Sequence, residues 1–193
     1  MTELRLSEIL SVGRTPIREA LNLLSRDGVV TLIPNKGFIL NQIKYEDLID
    51  IYRIREALDP VATRYASLRI DLSKLEEIER KYRSNTKDDP KKGRAFSYEL
   101  HSLIYESCGN PHLVEIFEKL SIKIQISQSS AWEFWSRSGD SSVPERRYDE
   151  HFEIIRLLKE KDAEGAEKAS KTHISGTIQD ILRLKFSDRN VES

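Results

Sequence analysis

The feature that most constrains this chain lies within its first 43 residues, where the apolar residues change period in a fixed order. LRLSEILSV carries Leu6, Ile9 and Leu10 at helical spacing, and Gly13 breaks the run. TPIREALNLLSRDG follows, with Thr15 placed as an N-cap and Pro16 at the first helical position. Ile17, Leu21 and Leu24 form one face with Ala20 beside it, and Gly28 ends the helix. VVTLIP, the turn Asn35-Lys36-Gly37 and FILNQI then read as a β-hairpin. Helix, turn, helix, hairpin is the order of a winged helix-turn-helix, which presents its second helix to the DNA major groove.

From Tyr45 onward the pattern is helical throughout. Helices are expected over residues 46–69, with Pro60 kinking the first, then 73–83, 93–108, 111–136, 145–160 and 163–186. Ser73-Lys74-Leu75-Glu76 and Ser142-Val143-Pro144-Glu145 read as capping boxes, and Asp162 as the cap of the last helix. SNTKDDPKKG reads as a polar loop and SDRNVES as a frayed tail. The expected fold is mostly α: two helices and a hairpin over 1–43, an all-helical bundle of about six helices over 44–187, and a tail over 188–193.

Composition narrows the function. No apolar run approaches the roughly 20 residues that span a bilayer. The charged start MTELRLSEIL has no signal-peptide core, and the lone Cys108 excludes an internal disulfide, so a cytoplasmic location without membrane contact is expected. A net charge of −1 rules out a surface coated for phosphate, but a DNA footprint can be local. Residues 1–44 carry Arg5, Arg14, Arg18, Arg26, Lys36 and Lys44 against Glu3, Glu8, Glu19 and Asp27, so the basic side of the balance lies there.

Arg14 and Arg18 lie four apart at the start of the second helix and project from one side. Arginine forks onto guanine or clamps a phosphate, Thr15 can donate to a phosphate, and Gly37 at the hairpin tip permits close backbone approach. The plain alternative is a small helical subdomain with solvated arginines.

In the bundle, His101 shares a face with Ile104, Tyr105 and Cys108. His151 shares one with Ile154, Ile155 and Leu158, and His173 with Ala166, Ala169 and Ile181. A single histidine on an apolar face is usually a satisfied core residue. Three on three helices can converge on Zn²⁺ or a similar divalent ion and leave positions open for a ligand. His112, after Pro111 at a helix start, is expected to be exposed. A hydrolytic zinc enzyme is the rival reading, against which stands the absence of His-Glu-x-x-His.

The stretch LSEILSVGRTPIREALNLLSRDGVVTLIPNKGFIL resembles the winged helix-turn-helix of the GntR family, through Arg14-Thr15-Pro16-x-Arg18-Glu19-Ala20-Leu21, Leu24, Gly28-Val29-Val30, Pro34 and Gly37. The resemblance implies a homodimer on a near-palindromic double-stranded DNA operator, with Arg14, Thr15 and Arg18 contacting DNA and Gly37 at the wing. Members carry a further helix before Leu6, so this head is expected to be a truncated version with less core. A sensing dimer that has lost DNA binding is the corresponding alternative. Gly13 stands where Ser or Thr is usual.

Residues 45–187 resemble the FCD domain of the FadR-type branch. The matches are Leu48-x-x-Ile51-Tyr52-x-x-Arg55-x-x-Leu58-Asp59-Pro60, Leu100-His101, Gly109-Asn110-Pro111, Glu150-His151 and His173. That resemblance implies a metal held by one Asp and three His. It supports His101, His151 and His173 as ligands of a divalent ion, Zn or Ni, and places Ser97 at the usual Asp position, where a hydroxyl is a poor ligand. Arg55 matches the pocket arginine, and a small carboxylate effector bridging metal and Arg55 is expected; otherwise Arg55 is a solvated helix arginine. The whole reads as a DNA-binding transcription regulator, not an enzyme.

Overall fold

The computed structural model describes residues 2–41, 44–83, 90–138 and 142–189. The expected strand end at 42–43, residues 84–89 of the expected loop and residues 190–193 of the expected tail lie outside the described residues, while residues 188–189 of that tail are helical. The chain divides into two compact units, Met1–Ile43 and Lys44–Ser193. No helix among the described residues is long and apolar enough to cross a membrane.

The first unit holds α1 (Glu3–Leu10), α2 (Arg14–Arg26), β1 (Val30–Ile33) and β2 (Gly37–Leu40). Thr2 caps α1, its hydroxyl accepting from the Arg5 amide. The cap of α2 is Gly13, not Thr15, and it makes no side-chain cap bond. Pro16 therefore sits third in the helix, where its missing N–H still has no intrahelical acceptor to disappoint. Gly28, at φ 71°, closes α2 as expected, with the Val29 amide donating to the Leu24 carbonyl at 2.8 Å. The strands pair antiparallel with Val30 opposite Leu40 and Ile33 opposite Gly37. Asn35 at φ 62° and Gly37 at φ 85° turn the hairpin, a backbone region that glycine and asparagine tolerate best. Ile17, Leu21, Val29, Val30 and Phe38 are its buried apolar residues.

The second unit is helical: α3 (Tyr45–Ala66), α4 (Leu72–Arg83), α5 (Pro90–Ser107), α6 (Pro111–Ser138), α7 (Ser142–Lys159) and α8 (Ala163–Arg189). α3 runs through Pro60 without interruption. Asp71, not Ser73, caps α4: its carboxylate accepts from the Ser73 amide at 2.9 Å and the Lys74 amide at 3.4 Å. A carboxylate at a helix N-terminus also meets the positive end of the dipole, which a hydroxyl does not exploit. α7 begins at Ser142 itself, and α5 starts at Pro90, inside the expected loop. Asp162 caps α8 as expected, accepting from the Gly165 amide at 2.9 Å.

α3 lies along α8 and also packs on α5, while α7 packs on α8. Between them sit Ala62, Ala66, Leu75, Phe96, Leu100, Ile104, Ile154, Ile155, Leu158 and Ala166, all essentially inaccessible. Phe96 is the hub: its ring lies 4.9 Å from Tyr82, 5.9 Å from Tyr148 and 5.1 Å from Phe152. Each buried leucine, isoleucine or phenylalanine side chain here contributes about 1.5–3 kcal/mol by leaving water. This rigid wall on one side positions α5 and α7, the two helices that bear the first two histidines.

Candidate functional site

In the first unit, Arg14, Thr15 and Arg18 are all exposed on the first turn and a half of α2, and Gly37 begins β2 at the turn. α1 supplies a partner that sequence reasoning missed. Glu3 accepts from Arg18 Nε and Nη2, both at 2.9 Å, and lies 3.7 Å from Arg14 Nη2. Hydrogen bonding to Arg18 holds the Glu3 carboxyl below its usual range. The Arg18 guanidinium fork is thus closed on an acid fifteen residues away.

In the second unit the three expected histidines meet. His101 comes from α5, His151 from α7 and His173 from α8, and each is at least 96% buried. One ring nitrogen from each lies within 4.8 Å of the other two. Ring centroids are 5.5 Å apart for His101–His151, 5.6 Å for His101–His173 and 4.3 Å for His151–His173. Their helical faces explain the convergence, since each shares its side with the core residues that draw its helix inward. His112 is exposed, as its position after Pro111 implies.

The donors suit a cation. Nε2 of His101 and Nε2 of His151 are buried without a hydrogen-bond partner, a cost of about 1–3 kcal/mol each that a bound ion would remove. Burial pushes the His101 pKa down, and the Arg55 charge adds to this against the opposing Asp59. Burial likewise holds His151 well below its usual value, helped by the neighbouring imidazoles. His173 is well below as well, through burial and then Arg147. All three are therefore neutral near pH 7, the form that offers a lone pair to a metal. A tetrahedral site with Zn–N of about 2.0–2.1 Å needs nitrogens about 3.3–3.5 Å apart, so the rings would draw together by no more than about 1.5 Å to hold an ion. These residues fit a first-row divalent ion.

Around the imidazoles stands a charged surround. Asp59 on α3 accepts from Arg55 Nη2 at 2.7 Å and Nε at 3.1 Å, and from the Tyr105 hydroxyl at 2.7 Å. Burial alone would raise the Asp59 pKa, but Arg55 and His101 outweigh it and hold the carboxyl well below the usual range. Arg55 is 3% exposed, so it is neither solvated nor free: its fork is on Asp59, and its guanidinium lies over the Tyr52 ring at 5.1 Å. Ser97 is buried one turn before His101, on the same helix. Glu150 Oε2 lies 2.8 Å from His173 Nδ1 and accepts from Arg147 Nη1 at 2.6 Å. Burial pushes the Glu150 carboxyl up, opposed by Arg147 and Arg146. Arg147 also donates to the His173 carbonyl at 2.7 Å and to Asp180.

The roles of Asp59, Tyr105, Arg147 and Glu150 were not read from the sequence. Arg55/Asp59 and Arg147/Glu150 are spaced four and three apart on their helices, which is a legible pairing signal. That these pairs abut the histidines is not.

Comparison with known proteins matches the chain to two family descriptions. The FCD domain covers residues 50–176, and the bacterial regulatory proteins of the gntR family cover residues 1–40. The chain is 26% identical over 191 residues to the uncharacterized HTH-type transcriptional regulator YdhC of Bacillus subtilis, spanning 95% of this chain and 82% of that protein. It is 24% identical over 187 residues to the Nta operon transcriptional regulator of Aminobacter aminovorans, spanning 95% and 85%. Among solved structures, E. coli McbR/YncC superposes with a TM-score of 0.75 at 20% identity, covering 95% of this chain and 86% of that one.

Proposed function

The chain belongs to the GntR family of bacterial transcription regulators, with a gntR-type DNA-binding head and an FCD domain, and from that premise we propose that its helical unit senses a small carboxylate through a divalent metal held by His101, His151 and His173. The observation that carries this reading is the convergence of three buried, neutral imidazoles from three helices, two of them with unsatisfied Nε2 atoms. Zn²⁺ or Ni²⁺ suits an all-imidazole set. When bound, the ion supplies a Lewis-acidic point that takes an anionic oxygen.

The chain's own residues do the rest. Three imidazoles leave at least one position open, because Ser97 brings a hydroxyl where a carboxylate would close it. An anion in that position lies in the field of Arg55, whose charge is felt at all three histidines. Arg55 contacts the effector only by sharing its fork with Asp59, so its contribution is chiefly electrostatic until that pair yields. Arg55→Ala should therefore weaken effector binding.

Regulation follows as a population shift in a homodimer. The effector binds one arrangement of the dimer better than the other, and half-sites about one DNA turn apart read the difference. Arg14, Thr15 and Arg18 contact the operator, with Gly37 at the wing entering beside it.

The test is elemental analysis of the purified protein alongside His151→Ala, followed by calorimetric titration with a panel of carboxylic acids. About one first-row metal per chain, lost in the variant, with a carboxylate that then shifts DNA mobility, is the expected result. A wild-type protein that takes up neither Zn²⁺ nor Ni²⁺ on reconstitution overturns the metal reading. DNA mobility unchanged at low salt would favour a sensing dimer without DNA binding.

A further inference from the structure

Two of the three histidines are backed by the same construction. Behind His173 stands Glu150, its Oε2 at 2.8 Å from Nδ1, and behind Glu150 stands Arg147, three residues earlier on α7. Arg147 is itself tethered to Asp180 and to the His173 carbonyl. Behind His101 stands Asp59, its Oδ2 at 3.2 Å from Nδ1, and behind Asp59 stands Arg55, four residues earlier on α3. Tyr105 holds the other Asp59 oxygen. In each unit arginine and carboxylate lie one turn apart on one helix, and the imidazole comes from another. Among the described residues His151 has no carboxylate partner; its neighbour is the Phe96 ring at 5.2 Å.

Packing does not account for this. A buried ion pair seldom outperforms apolar side chains of the same volume, because desolvating both charges costs as much as their attraction returns. A fully buried pair and a partly buried one, each laid against a different histidine of one cluster, need another reason. Histidines that bind metal commonly give their second N–H to a carboxylate, which fixes the tautomer and raises the basicity of the ligating nitrogen. Arginine keeps its charge at any working pH, so it favours the anionic, accepting form of the carboxylate beside it and donates to its oxygens. Neither Asp59 nor Glu150 joins the group of converging donor atoms. Both are held one step behind it.

We propose that Asp59 and Glu150 are the positioning residues of this centre: Glu150 takes the Nδ1–H of His173, Asp59 faces Nδ1 of His101 at 3.2 Å, and together they aim Nε2 of His101 and His173 at a shared divalent ion and supply from outside the coordination sphere the negative charge that Ser97 does not supply within it. This rests on the metal reading above. It follows that the inner sphere is neutral apart from the ion, so the open position favours an anion. The two units are not equal. The Glu150–His173 bond is fully made, whereas His101 Nδ1 lies near Asp59 without the alignment of a hydrogen bond. Glu150 is therefore the stronger of the two.

The experiment uses the full chain, stripped of metal and labelled with ¹⁵N-histidine. Ring tautomers are read by NMR, and Zn²⁺ affinity by competition with a chromogenic chelator, for wild type, Glu150→Ala, Glu150→Gln and Asp59→Asn. In the zinc-free wild type, His173 should carry its proton on Nδ1. Glu150→Ala should release that tautomer and weaken Zn²⁺ about tenfold to hundredfold, with Glu150→Gln between. Arg147 keeps Asp180 and the His173 carbonyl in these variants, so the fold should persist even where Asp59→Asn, which strands Arg55, does not fold. Wild type that binds Zn²⁺ while Glu150→Ala matches it within about twofold, or His173 protonated on Nε2 in the zinc-free wild type, overturns the positioning role. Wild type that binds no Zn²⁺ overturns the metal reading instead, and the positioning role falls with it.

Discussion

Replacing Asp59 with Asn isolates the most deeply buried ion pair among the described residues. Arg55 and Asp59 side chains are 3% and 1% exposed, and the carboxylate accepts from two guanidinium nitrogens and from Tyr105. Asn keeps the shape but removes the charge, so the guanidinium is left buried and uncompensated. Breaking a buried pair in this way costs about 3–5 kcal/mol. In a domain of this size each kcal/mol moves the midpoint by about 2–4 °C, so Tm should fall by roughly 6–20 °C. The double variant Arg55→Met/Asp59→Asn removes both charges and, set beside the two single variants, should recover most of the loss. The singles should then overshoot the double by about 2 kcal/mol or more, the mark of a direct interaction. Urea unfolding followed by far-UV circular dichroism, in chelator so that metal binding does not add stability, measures all four proteins. Because the Asp59 carboxyl is held below its usual range, the pair's contribution is present above the unfolded value near 3.8 and is lost only as pH falls below it. The cost should therefore be the same at pH 6 and pH 8. An Asp59→Asn variant within about 1 kcal/mol of wild type, or strictly additive singles, would refute the reasoning.

Acid should act first on the histidines. All three are held neutral below their ordinary value of 6.5, so the unfolded chain binds protons that the folded one refuses. Metal-free stability should be full above about pH 6.5 and fall below it, by up to about 1.4 kcal/mol per pH unit for each histidine; urea midpoints flat from pH 7 to 5 would contradict this. Arg18→Ala should weaken operator binding by about 1–3 kcal/mol and relax preference if Arg18 reads a base, as mobility shifts against specific and scrambled duplexes would report. Glu3→Gln should do the opposite, tightening binding up to about fivefold by freeing Arg18, since an exposed pair is worth at most about 1 kcal/mol. Weaker binding would mean that Glu3 aims the arginine rather than restrains it.

Much of the fold was legible because its signals are local. Apolar period, Gly28 and Gly37 at positive φ, and Asp162 as a cap act over a few residues, and the helices and the hairpin appear where those signals put them. The misreadings were local too. Thr15 and Ser73 are good capping residues, but Gly13 and Asp71 each stood two positions earlier and took the ends. The inward faces of His101, His151 and His173 were readable from periodicity, because each is flanked at helical spacing by residues that water excludes.

What surrounds those histidines was not readable in the same way. Arg55 has the same local spacing whether it waits for a ligand or is spent on Asp59, and only the packing of α3 against α5 brings Tyr105 and His101 onto that carboxylate. Glu150 meets His173 because α7 lies on α8, and Arg18 meets Glu3 because α2 folds back on α1. The sequence by itself determined the elements, their order and which side of each is apolar, since backbone propensity and hydrophobic period need no distant partner. Tertiary structure alone decided which charges neutralise one another and which nitrogens are left to face a shared point, because those depend on ångström distances between side chains far apart along the chain.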